Sequence, residues 1–119
     1  MKVGERVGAI LRAGFEVCEF LGYGVYEGDF LPHEAVGFLA EILVDTKVNN
    51  PRIRLDSGSV VYGCECWWGS EVEVKKRLAE YKEVKQVEIS EVRKEYLKDI
   101  AEKEAKDKKK GKKKEKKDV

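Results

Sequence analysis

The chain is poor in the residues that carry most protein chemistry. It has one histidine, one methionine, two prolines and three cysteines among 119 residues. A lone histidine leaves little room for a His-based catalytic or metal constellation. Three cysteines form an odd set without a framework of spacings, so a reduced, cytoplasmic setting is expected over a disulfide scaffold. No apolar run approaches the ~18–20 residues that a membrane-crossing helix needs. The opening MKVGERVGAILRAGFE has no sustained apolar stretch and no small-residue cleavage site, so it does not read as a secretory signal. The glycines of GYGVYEGD lack the G-x-G-x-x-G spacing and the Walker Lys-Ser/Thr ending. No nucleophile elbow is present either, so no catalytic residue is assigned and enzyme activity is not expected.

What the chain does have is charge. Asp, Glu, Lys and Arg make up 39% of it, yet the formal net charge is only +1. The two signs are unevenly spread. Residues 103–119 hold ten of the 24 basic and four of the 23 acidic groups, a net of +6, which leaves −5 on residues 1–102. A negative body repels a phosphate backbone, so the composition argues against nucleic acid as a partner and leaves only weak contacts of the tail. The segment KEAKDKKKGKKKEKKDV has almost nothing to bury and reads as a disordered basic tail. The division is thus a compact α+β domain over 1–102 and a tail over 103–119.

Within the body, alternating residues on either side of Arg12-Ala13-Gly14 predict a β-hairpin whose second strand runs on through glycines 22, 24 and 28. Pro32 is placed in the first turn of a helix carrying Ala35, Val36, Phe38, Leu39, Ile42 and Leu43 on its inner face. Arg52-Ile53-Arg54-Leu55, the turn Asp56-Ser57-Gly58-Ser59 and the β-rich run Val60 to Trp68 predict a second hairpin. Ser70 and Glu73 form a capping box before a helix with the stripe Val74, Leu78 and Tyr81. A short strand at Val87 and Ile89 precedes a last helix, capped by Ser90, with Val92, Tyr96, Leu97 and Ile100 inward. The order is ββαββαβα, two hairpins with packed helices.

Two clusters invite a site. Cys64 and Cys66 are expected on one face of a strand, and with Cys18 and His33 they would supply a Cys₃His zinc set. Cys-x-Cys on a strand is unusual zinc spacing, so small buried hydrophobes are the preferred reading and neither metal nor cofactor is assigned. Catalytic alternatives, a Cys–His pair with Asp29 or Asp56 and an acid pair of Glu27 and Asp29, lack any supporting signature. The second cluster is the stronger one. Arg52 and Arg54 share a strand face about 6.5–7 Å apart, suited to gripping phosphate or carboxylate oxygens. Tyr62, Trp67 and Trp68 lie beyond the turn, and with Tyr23 and Tyr26 they complete a proposed ligand surface for stacking on a ring.

FLGYGVYEGD and RLDSGSVVYGCECWWGSE, with the opening KVGERVGAI and the segment VEISEVRKEY, resemble a family of small accessory proteins of tailed phages and prophages. The likeness covers roughly residues 2–96. It implies action inside a bacterial host's cytoplasm, and by analogy of context a role against host antiviral defence. On the residues and the resemblance together, the expectation is a homo-oligomer, associated through strand edges or the aromatic face, that sequesters a small anionic, nucleotide-like ligand. The alternatives are an inhibitor that docks its aromatic hairpin on a host protein, and a small zinc or catalytic protein.

Overall fold

The computed structural model describes residues 1–117, with side chains through Lys106. The predicted hairpins are present, as β1 (Arg6–Ala13) with β2 (Val17–Phe30) and β3 (Asn50–Leu55) with β4 (Val60–Tyr62). Between them lies α1 (Phe38–Asp45); β5 (Trp67–Ser70), α2 (Glu71–Leu78), β6 (Glu83–Gln86) and α3 (Ile89–Lys117) follow. This is the α+β domain expected.

The sheet is a meander that rolls up. Its order is β4-β3-β2-β1-β5, antiparallel throughout, and β6 adds to β2 in parallel. The strands β4 and β5 sit at opposite ends of that order, yet only residues 63–66 separate them in the chain. A link that short forces the sheet to curl until its ends nearly meet. Gly63 marks the approach: a Cβ there would lie 3.2 Å from Trp68 Nε1. The run Val60 to Trp68 is therefore two strands on different partners, not the single return strand that its β-rich composition predicts. Cys64 and Cys66 fall in the intervening turn, where Cys66 Sγ donates to the Tyr62 carbonyl at 3.4 Å.

Two cores result, one on each face of the sheet. Val7, Ala9, Leu21, Ile53, Leu55 and Val61 fill one, closed by Ile89 at the start of α3. Ile10, Cys18 and Phe20 form the other beneath Val74 of α2, with Leu78 and Tyr81 beside them. The α2 cap is as expected, since Ser70 Oγ accepts from the Glu73 amide at 3.2 Å.

Three local expectations change. The first helix begins at Phe38 and not at Pro32, because Gly37 holds φ +112°, a left-handed conformation that a helix cannot continue through. Pro32 is buried in the preceding turn and His33 is exposed there, outside any helix. The short strand is Glu83–Gln86, earlier than Val87 and Ile89, and Ile89 already belongs to α3. Finally, α3 crosses the 102/103 boundary without a break, so residues 103–106 are helical and exposed. Lys, Glu and Ala favour helix even where nothing is buried. The tail's side chains beyond 106 lie outside the described residues.

Candidate functional site

Arg52 and Arg54 do share a face, with Ile53 and Leu55 buried on the other. Both are engaged. Glu27, on the neighbouring strand β2, accepts from Arg52 Nε through one carboxylate oxygen and from Arg54 Nε through the other, each at 3.1 Å. Arg52 also lies over the Phe30 ring, 3.5 Å from its centroid. Tyr62, directly across the ladder from Arg52, is buried and donates its hydroxyl to Glu34. That hydrogen bond, opposed by burial and helped by a backbone hydrogen bond and the charges of Arg52 and Arg93, lowers the Glu34 carboxyl below the usual range. Two arginines thus face two carboxylates, and the cluster has no surplus positive charge.

The remaining aromatic residues do not join it. Trp68 and Tyr26 stack on each other at 5.3 Å against the core that holds Val7 and Ile53, and the Tyr26 hydroxyl donates to Asp29 at 2.7 Å. Trp67 is on the α2 side, under Arg77 with 4.1 Å to its ring centroid. Tyr23 packs edge-on against Phe20 at 4.9 Å. Of the seven residues expected to form one surface, the structure brings together only Arg52, Arg54 and Tyr62, and Tyr62 offers no exposed ring.

The cysteines are separated as well. Cys18 is buried with Ile10 and Phe20, while Cys66 packs against the other core. Among the described residues, no group of three or more His, Cys, Asp or Glu side chains is placed to hold a metal ion. Burial raises all three thiols, Cys66 to about 12, so none is a ready nucleophile. Glu27, one half of the imagined acid pair, is bound to the arginines, and Asp29 is bound to Tyr26.

The concave feature with the most telling chemistry lies elsewhere, between α1 and α3. It encloses about 240 Å³ and is lined by Leu11, Val36, Phe38, Leu39, Val92 and Tyr96, among others. Charge at its wall comes from one pair, Glu65 and Arg93. Arg93 grips both carboxylate oxygens at 2.9 and 2.8 Å and donates also to the Val60 carbonyl at 2.8 Å. Glu65 in turn accepts from the Tyr62 amide at 3.0 Å. The pair is nearly closed off from water, with side-chain exposures of 17% and 10%. The apolar groups Phe38, Leu39 and Tyr96 of this lining are open, at 74%, 57% and 44% exposed, and Leu97, next along α3, is 52% exposed.

These are the residues that periodicity assigned to the interior. In α1 the buried residue is Ala40, Leu43 and Val44 are half-buried, and Phe38, Leu39 and Ile42 are exposed. A signal was available in the segment itself. FLAEILVD has six apolar residues in eight, and a helix apolar all round is either buried or partnered.

The turn that carries this wall also sets an alkaline limit on stability. Burial and the Glu34 hydrogen bond push the Tyr62 phenol from 10.0 to about 12. Burial, then the charge of Glu65, pushes the Cys66 thiol from 9.0 to about 12. Both groups hold their protons more tightly in the folded chain than in the unfolded one. Their contribution to stability is therefore full below pH 9.0 and is lost as the pH rises toward 12. Urea unfolding midpoints should drop steadily over that window, and Cys66→Ala with Tyr62→Phe should flatten the slope.

The fold and site together define a small α+β domain with a rolled, mixed sheet and an apolar groove between two helices. No helix among the described residues is long and apolar enough to cross a membrane. No family model, curated protein or solved structure matches the chain.

Proposed function

We propose that this is a non-catalytic binding protein that acts by docking a polypeptide through the α1–α3 groove. The carrying observation is that the exposed Phe38, Leu39 and Tyr96 line a small, apolar-walled cavity. A cavity of about 240 Å³ is below the ~300–1,000 Å³ usual for small-molecule sites, and suits one inserted side chain better than a nucleotide. Clustered aliphatic and aromatic groups around a pocket are the makings of an interface hot spot. The sequence resemblance to phage accessory proteins supports a setting in a bacterial cytoplasm, where docking on a host component would interfere with defence.

A second reading keeps the small anionic ligand at the sheet. Its support is that one carboxylate, Glu27, holds Arg52 and Arg54 side by side through their Nε atoms. Against it, Glu27 and Glu34 already balance both charges.

One experiment separates the two. A photo-cross-linking amino acid in place of Leu39, irradiated in bacterial cells, should give a polypeptide adduct, while the same probe in place of Arg54 should not. An adduct at 54 alone, or none at 39, would overturn the docking reading. The anion reading in turn requires that native mass spectrometry show a bound small molecule that Arg52→Ala with Arg54→Ala removes.

A further inference from the structure

We propose that residues 31–49 form a strap that opens as one unit over the apolar cavity and is latched by a single contact, Tyr62 to Glu34. The strap leaves the sheet at Phe30 and returns at Asn50, which face each other as the last pair of the β2–β3 ladder. With both feet side by side, the segment can swing without changing any strand register. Its backbone hydrogen bonds close on themselves. The amides of His33 and Ala35 reach back to Leu31 and Pro32, and those of Glu41, Thr46, Lys47 and Val48 stay within α1 and its ends. Two left-handed residues, Gly37 at φ +112° and Lys47 at φ +58°, bracket the helix, so α1 ends cleanly on both sides and moves as a rigid piece.

Little holds the strap down. Pro32, at its first foot, and Ala40 are its buried side chains. Gly37 lies against the Tyr96 ring, where a Cβ would stand 2.7 Å from Cε1. Beyond the adjacent Asn49 and Asn50, the one hydrogen bond from the strap to the rest of the described residues is that of the Tyr62 hydroxyl to Glu34. No salt bridge among the described residues reaches residues 31–49. A segment so thinly held opens at a lower free energy than the fold as a whole. Opening also changes the cavity. Val36 to Ala40 form one wall of it, and Cys64, Glu65 and Arg93 stand on the other. Lifting the strap bares the Glu65–Arg93 pair, so the same face offers an apolar cover when shut and a charged floor when open.

Hydrogen exchange and Cys64 alkylation by iodoacetamide, read on the same full-length protein, test the strap. The Thr46, Lys47 and Val48 amides should exchange together, faster than the β1–β2 ladder, and without response to urea below the unfolding transition. Glu34→Ala should speed these amides and Cys64 alkylation by the same factor, about tenfold or more. Tyr62→Phe removes the same hydrogen bond from the other side and should give that factor too; a clear mismatch would overturn the pairing. Val74→Ala, in the core on the opposite face of the sheet, should lower the urea midpoint and speed ladder exchange. It should leave the strap amides and Cys64 at their original rates. If Val74→Ala speeds all of them equally, the strap opens only with the whole fold and the proposal is wrong. Strap amides indifferent to Glu34→Ala would overturn the latch, and indifference of Cys64 alone would overturn the opening of the cavity. Neither readout needs an occupant in the groove, so a failed Leu39 cross-link leaves the strap standing.

Discussion

Arg93→Ala is expected to cost about 3–5 kcal/mol, a large share of what a domain of this size has in total. Arg93 makes three hydrogen bonds that join elements distant in sequence: two to Glu65 in the 63–66 turn and one to the Val60 carbonyl of β4. Truncation leaves the Glu65 carboxylate nearly closed off from water and without its counter-charge. The Tyr62 amide is then its one remaining donor among the described residues. Urea denaturation gives the loss directly. The double variant with Glu65→Ala should cost clearly less than the two singles added, since once the pair is broken its second member has little left to lose. Arg12→Ala, which breaks the open Arg12–Glu19 pair, should stay within about 0.5 kcal/mol and serves as the comparison. If Arg93→Ala is equally mild, the pair does not hold the turn to the helix.

Gly24→Ala is expected to be as damaging, by a different route. Gly24 lies opposite Leu55 in the β2–β3 ladder, where the strands cross closely. A Cβ at this position would collide with the Arg54 carbonyl oxygen and stand 2.7 Å from Leu55 Cα. These are backbone atoms, so no rotamer change relieves the overlap and the strands must part. Overpacking of this kind costs about 1–3 kcal/mol where side chains can shift, and more where they cannot. The variant should lose hydrogen-exchange protection first along β2 and β3 and lower the unfolding midpoint by more than any exposed-surface change. Intact protection at those amides would show that the ladder has room to spare.

How far the sequence could be read follows from how local each signal was. The strand 52–55 was legible because alternation is a property of adjacent residues, and burial follows it position by position. The Ser70 cap was legible for the same reason, since its partner is three residues away. The division of 60–68 was not, because β-rich composition records the capacity to form strands and not their partners. Trp67–Ser70 pair with Val7–Ile10, some sixty residues back. Arg52 and Arg54 were placed on the correct face, but Glu27, twenty-five residues before Arg52, decides what they do there. The groove was misread for a more basic reason. Periodicity finds the apolar side of a helix and says nothing about whether its own chain covers that side, so Phe38, Leu39, Tyr96 and Leu97 were assigned to the interior.

The rolled sheet also bears on what this protein avoids. Edge strands that display unpaired amides and carbonyls invite growth into fibrils. On β4 the Val60 carbonyl is taken by Arg93, and β6 is a four-residue strand, wholly exposed, that carries Glu83 and Lys85. Short, charged and partly capped borders of this kind are poor templates for strand addition. Crowding such a chain to high concentration should therefore not seed growth by strand addition.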